Sequence, residues 1–134
     1  MNIIDKSANS VVIFTLNEKK TLTSPLYLVK ATSHSGRNTK RFLLSTDQST
    51  ATDRYNQFTV TESTTEVLTS GTVNLTPAGF WDYEIYEQTS TTNLNEALCD
   101  NTTPLEKGMF LVRQSNATDS YYSTTTPENK FYGQ

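Results

Sequence analysis

The sequence predicts an all-β domain, a sandwich or barrel of about eight or nine strands. Two observations carry this prediction. Ser, Thr and Asn make up roughly a third of the 134 residues, and Thr, Val, Tyr and Phe favour the pleated surface of a sheet. Short strand-like runs also recur along the chain, separated by polar turn residues every ten or so positions.

The strand signals begin with VVIFTL at 11–16, which is apolar on both faces and predicts a central or covered strand. Residues 26–46 predict a hairpin, because two β-rich runs flank a polar turn. QFTVTES at 57–63 alternates apolar and polar side chains. A second hairpin is predicted from GTVNL at 71–75 and GFWDYEIYEQ at 79–88, joined through the TPAG turn. The remaining predicted elements are strands at 108–114, 120–124 and 130–133, and at most two helical turns at 93–100.

The domain organisation predicted from this pattern is simple. Residues 1–10 are polar without strand periodicity and predict a flexible arm, or an extension that orders on a partner, while residues 11–134 form the sandwich. The first ten residues show no signal-peptide pattern, and no window approaches the roughly 20 apolar residues of a membrane span. We therefore expect no membrane partner.

Charge and cysteine content exclude several function classes. The net charge of −3 provides no basic field for nucleic acid, and the RNTKR run at 37–41 is interpreted as a hairpin flank. The single cysteine, Cys99, cannot form an internal disulfide. His34 lies in a predicted exposed turn, so we interpret the two as a partly buried thiol and a loop imidazole rather than a catalytic pair. Asp47 and Asp53 lie in a Ser/Thr-rich loop that lacks the ligand pattern of a calcium loop. We expect no metal and no cofactor.

The strand GFWDYEIYEQ raises the question of a catalytic carboxylate pair. Alternation places Trp81, Tyr83 and Ile85 on one face, which we assign to the core. Asp82 and Glu84 then project from the opposite face, roughly 7 Å apart, whereas a retaining glycosidase holds its carboxylates about 5 to 5.5 Å apart in a cleft. No His, Arg or Lys is interleaved with them, so a solvated or partner-facing strand is favoured over an active site.

Aromatic residues are the remaining feature of the sequence. Rings on a sheet face are common at assembly interfaces and in sugar-binding modules, although cross-strand pairs and a well-filled core explain them equally. The aromatic residues that exceed the evident needs of one small core are Phe80, Tyr86, Tyr121, Tyr122, Phe131 and Tyr132.

Four segments, VVIFTLNEKKTLTSPLYLVKAT, DRYNQFTVTE, GFWDYEIYEQTS and LEKGMFLV, together resemble small virion proteins of tailed bacteriophages, particularly crAss-like and related phages of Bacteroidetes hosts. The resemblance runs through nearly the whole chain from residue 11. It implies an Ig-like or jelly-roll β-sandwich that is incorporated into the particle in many copies, and it supplies no catalytic residue.

The expected function is therefore that of a non-enzymatic virion protein assembled in the host cytoplasm, an auxiliary or decoration protein that stabilises the capsid shell. Its expected partners are the major capsid protein, copies of itself or other virion proteins, and a host-surface glycan is a further candidate. A tail or neck component, a carbohydrate-binding module and a small hydrolase based on Asp82 and Glu84 remain alternatives. The predicted contact residues are Asn2, Ile3, Ile4, Phe80, Asp82, Glu84, Tyr86, Tyr121, Tyr122, Phe131 and Tyr132.

Overall fold

Two β-sheets face each other in the computed structural model, which describes residues 1–35, 37–50 and 54–114. The larger sheet has five strands in the order β1-β8-β7-β3-β4, and the smaller has three in the order β2-β5-β6. The predicted all-β sandwich is confirmed, with eight strands in the described part of the chain. Their bounds are Asn2–Asp5 (β1), Asn9–Phe14 (β2), Leu26–Ser33 (β3), Thr39–Leu43 (β4), Asn56–Glu62 (β5), Thr72–Val73 (β6), Gly79–Gln88 (β7) and Glu106–Arg113 (β8).

The alternating sequence patterns fold as expected where they are strongest. β3 and β4 pair antiparallel, which confirms the hairpin predicted at 26–46. In β5, Phe58 and Val60 point into the core while Thr59 and Thr61 are half-buried. The predicted helical region at 93–100 contains one turn of 3-10 helix, Glu96–Leu98.

β7 is the long central strand of the large sheet, with β3 on one side and β8 on the other. Trp81, Tyr83 and Ile85 are buried between the sheets, as predicted. Trp81 stacks on Phe110 with ring centroids 6.4 Å apart. Gly108 leaves room for Tyr83, because a Cβ at this position would lie 2.6 Å from the phenolic oxygen.

The prediction of a flexible arm over residues 1–10 is wrong, because these residues form β1 and the start of β2. Asn2–Asp5 is a strand that pairs in parallel with β8, and its Ile4 side chain is buried in the core. The turn that follows is tied to Glu62, whose carboxylate accepts hydrogen bonds from Lys6 Nζ and the Ser7 amide. The prediction failed because the strand has only four residues, and its pairing partner lies at the far end of the described sequence.

Two other predictions about strand pairing are wrong. Thr72–Val73 pairs in parallel with β5 in the small sheet, so it makes no hairpin with β7. The chain crosses between the sheets at 74–78 because Val73 and Leu75 are both buried in the core. The strand predicted at 11–16 was expected to be central or covered, but β2 is an edge strand of the small sheet. Its Val12 and Phe14 side chains are buried in the core, whereas Val11 and Ile13 on the other face are exposed.

Candidate functional site

The outer face of the large sheet carries most of the predicted contact residues, and it divides into two halves. Strand alternation points five side chains of β7 outward, away from the small sheet. At one end Phe80 is 43% exposed, whereas at the other Tyr86 is 6% exposed and Gln88 is fully buried. We call the region around Phe80 the open half and the region around Tyr86 the covered half.

An apolar row crosses three strands in the open half. Ile3 on β1 is aligned with Leu111 on β8, and Leu111 is aligned with Phe80 on β7. Met109 lies two residues from Leu111 on the same strand and face. Ile3, Phe80 and Met109 are exposed, and Leu111 is half-buried. We define the apolar row by these four residues.

Sequence reasoning found two members of this row and missed the other two. Ile3 and Phe80 were predicted contact residues, and the structure places both on the open half. Met109 and Leu111 were missed, although GMFLVRQ contains the signal. Once Phe110 and Val112 are assigned to the core, alternation sends Met109 and Leu111 to the outer face.

The two carboxylates of the open half have separate partners. Asp82, with its side chain 66% exposed, lies 3.0 Å from Nε2 of His34, whose ring centroid is 6.3 Å from that of Phe80. Glu84 faces Lys107 at 3.5 Å and accepts a hydrogen bond from the Tyr86 hydroxyl at 2.7 Å. The depression between them has a volume of about 190 Å³. Each carboxylate thus has its own partner on the sheet surface, which is the wetted arrangement that the sequence favours.

The covered half is a second small core on the outside of the sheet. Residues 89–101 pass over it, and Leu94 and Cys99 from this segment pack on Leu28, Leu43 and Tyr86. Tyr86 is therefore no contact residue for a partner, because the chain itself covers it. Burial and the hydrogen bond to Glu84 raise the pKa of Tyr86, so the hydroxyl stays a donor.

Gln88 anchors the covering segment. Its amide nitrogen donates to the carbonyl oxygens of Ser90 and Asn93, each at 3.0 Å. Its side-chain oxygen accepts from the side-chain nitrogen of Asn93 at 2.7 Å and from the Cys99 thiol at 3.2 Å. Burial raises the pKa of Cys99 to about 11, and the negative charges of Glu96 and Asp100 add to the effect. The thiol is thus a buried donor rather than a nucleophile.

A charged cluster fastens the other edge of the covering segment. Glu96 lies 2.6 Å from Nε of Arg41 and 3.2 Å from Nζ of Lys30. The hydrogen bond from Arg41 lowers the pKa of Glu96 to about 2, with a smaller contribution from Lys30. Both basic residues lie on the outer face of the sheet, on β4 and β3.

Asn2 and Ile4, two further predicted contact residues, are used within the chain. The Asn2 side-chain amide donates to the Ile13 carbonyl oxygen and accepts from the Ile13 amide, both at 3.0 Å. The Asn2 side chain thereby pairs the backbone N–H and C=O groups of Ile13 at the free edge of β2. Another strand could otherwise pair with these groups. Ile4 is buried, so it contributes to the core.

The other candidates from the sequence have structural roles or lie beyond the description. Asp47 accepts hydrogen bonds from the amides of Ser49 and Gln57 and from the Asn56 side chain, so it caps a loop. Asp53 lies outside the described residues. Among the residues that the structure describes, no three His, Cys, Asp or Glu side chains form a metal-binding group. Within the same ranges, no helix has the length and apolar character needed to cross a bilayer.

Four predicted contact residues cannot be placed. The predicted strands at 120–124 and 130–133 lie outside the described residues. Those four contact residues are Tyr121, Tyr122, Phe131 and Tyr132.

Comparison with known proteins adds little to this geometry. No protein-family model and no curated protein matches the chain. Among solved structures, the chain is similar to part of a "putative glycoside hydrolase" from Bacteroides vulgatus ATCC 8482, with 12% identity and a TM-score of 0.42. The similarity covers 87% of this chain and 17% of that protein. A similarity this weak supports no conclusion about activity.

Proposed function

We propose that the chain is a structural protein of a bacteriophage virion, an auxiliary decoration protein that binds the capsid shell through its apolar row. The observation that carries the proposal is the exposure of Ile3, Phe80 and Met109 together on adjacent strands. Contiguous apolar patches on a small protein commonly mark interaction sites, whereas scattered apolar residues do not. The resemblance of the sequence to phage virion proteins supports the choice of partner.

The surroundings of the apolar row suit a protein partner. Polar and charged residues flank it on both sides: Asp82 with His34, Glu84 with Lys107, and Asp5 with Arg113. An apolar centre with a polar rim is the usual anatomy of a protein interface. Burial of several hundred Å² there, at roughly 25 cal/mol per Å², supplies several kcal/mol per site before the cost of association. Repetition over a shell then multiplies weak contacts.

The first test counts the chain in purified particles of the phage. Quantitative mass spectrometry against the major capsid protein should give on the order of hundreds of copies, retained on heads without tails, because a decoration protein follows the symmetry of the shell. About a dozen copies lost with the tail would instead support a tail or neck component. Absence from particles would overturn the virion proposal.

The second test asks whether the apolar row makes the contact. Phe80→Ser should lower the occupancy of the chain on capsids on the order of tenfold, since exposed aromatic anchors dominate many interfaces. Val11→Ser is the matched control, because Val11 is at least as exposed as Phe80 but lies on the small sheet. Unchanged binding of the Phe80 variant, or equal loss in both variants, would contradict the assignment of this surface.

A further inference from the structure

A groove runs along the end of the sandwich where β3 begins and β4 ends, and it is built from three contiguous depressions. Their volumes are about 310, 200 and 270 Å³. The first two share Leu26 and Leu44, and the last two share Pro25, Tyr27 and Asp47. The three depressions therefore lie side by side, and Tyr27 lines the second and the third.

Tyr27 is the unusual residue of this groove. Its side chain is 7% exposed, and its ring packs on Phe58 with centroids 5.9 Å apart. Its hydroxyl forms no hydrogen bond with any other described residue. The hydroxyl oxygen is also not fully enclosed, so part of it is accessible from outside. The oxygen therefore reaches the groove without a protein partner. A bound ligand could therefore accept a hydrogen bond from this hydroxyl in place of water.

The electrostatics at Tyr27 favour a neutral ligand. Burial, together with the charges of Glu87 and Asp47, raises the pKa of Tyr27 to about 12, so the hydroxyl remains a donor at neutral pH. Both carboxylates are already occupied. Glu87 accepts from the Thr21 and Leu22 amides. Asp47 accepts from one group of its own loop and from two groups at the start of β5. Lys20 lines the third depression, so charges of both signs lie around the groove and no net field favours an anion. The saturated oxygens of the two carboxylates leave little for a cation.

The lining of the groove restricts the chemical class of the ligand further. Its middle depression is lined by the apolar residues Pro25, Leu26 and Leu44. Its rim carries hydroxyl groups from Thr46, Thr69 and Thr91, which make no hydrogen bond with other described residues. A sugar ring has the matching character, with apolar C–H faces and hydroxyl groups around its edge. We propose that this groove binds a short neutral oligosaccharide, with the Tyr27 hydroxyl donating to a sugar oxygen.

The groove is separate from the apolar row. β3 runs from Leu26 beside the groove to Ser33, which is aligned with Trp81, the neighbour of Phe80 in sequence. At about 3.3 Å per residue the two sites are roughly 20 Å apart along the strand. Capsid binding and sugar binding can therefore fail independently.

The test uses the full chain with maltotriose, cellotriose and laminaritriose as probes at millimolar concentration. Titrations followed by ¹H–¹⁵N spectra should move the amide signals of Leu44, Ser45 and Thr46 with at least one trisaccharide. Tyr27→Phe should weaken that binding on the order of tenfold, because it removes one hydrogen bond and keeps the ring. The variant should be about as stable as the parent, because the change removes no hydrogen bond to another described residue.

One control variant keeps the result interpretable. Phe80→Ser should bind the trisaccharide as tightly as the parent, which separates this site from the apolar row. If none of the three sugars moves the groove signals, or if Tyr27→Phe binds as tightly as the parent, the proposal is overturned.

Discussion

The two halves of the outer face of β7 start from the same sequence pattern and end in different environments. Phe80, Asp82 and Glu84 in the open half keep contact with solvent, whereas Tyr86 and Gln88 in the covered half are buried. Alternation within the strand is the same throughout, so the strand itself does not produce the difference. The difference comes from residues 89–101, which turn back over one half and are held there by Gln88 and Glu96.

The comparison shows that a side chain on the outer face of a sheet is exposed to solvent only where no other segment of the chain covers it. A polar residue such as Gln88 can be a structural anchor when every donor and acceptor of its amide is used. An apolar residue such as Phe80 can be left exposed a few positions away. The open half is therefore the place to look for a partner, and the covered half is the place to look for stability.

The largest expected effect concerns Leu28, which lies on β3 beneath the covering segment and is fully buried. Leu28→Ala should lower the free energy of unfolding by about 2–5 kcal/mol, as in a conventional core, because it leaves a cavity. Thr32→Ala, on the same strand and face but in the open half, should change it by about 0.5 kcal/mol or less. Urea denaturation measures both, and equal small effects would show that the covered half is not a core.

A smaller effect is expected at Gln88. Gln88→Ala should cost about 1–3 kcal/mol, because the change removes the donor to the Ser90 and Asn93 carbonyl oxygens. It also removes one of the acceptors of the Asn93 side-chain amide. Asp82→Ala in the open half should be nearly neutral. Alkylation of Cys99 provides a second measurement: it should be slow in the parent and faster in Gln88→Ala. Slow alkylation in both would indicate that the segment stays closed without this anchor.

The smallest expected effect concerns Glu96. Glu96→Gln should cost about 0.5–1 kcal/mol at neutral pH, since Arg41 is partly exposed and its ion pair is screened. The folded-state pKa of Glu96, about 2, is lowered from an ordinary Glu value of about 4.3. Its contribution is therefore complete above the ordinary value and is lost as the pH falls towards 2. Denaturation at several pH values should show parent and variant converging in acid, and a constant difference would exclude the ion pair as the cause.

Much of the fold could be predicted from the sequence because it is encoded locally. The alternation around Phe58 and Val60 and the inward trio of Trp81, Tyr83 and Ile85 are properties of single strands. The pairing of Thr72–Val73 could not be predicted, because two residues carry no period and the chain changes sheets immediately afterwards. Because 71–75 and 79–88 are close in sequence, we predicted a hairpin between them. Val73 and Leu75 are instead buried in the core between the two sheets.

The candidate site was predictable in part for the same reason. Phe80 was found because it stands out on its own strand, whereas the row that includes Ile3 depends on the register between β1 and β8. The covering of Tyr86 depends on where residues 89–101 turn. Hydrophobic periodicity does not predict the path of a loop. The unpaired Tyr27 hydroxyl is invisible in sequence, since it is defined by the absence of a neighbour among the described residues.

The pairing of β1 with β8 also bears on how the protein reaches its native state. Asp5 and Arg113, joined by an ion pair across these strands, are 108 residues apart in sequence. Contacts of such separation close the longest loops of a chain, and folding slows as they come to dominate the topology. The large sheet therefore gains its edge strand through one of the most distant contacts in the chain. The apolar row, which takes Ile3 from that strand, is complete only once this closure has occurred.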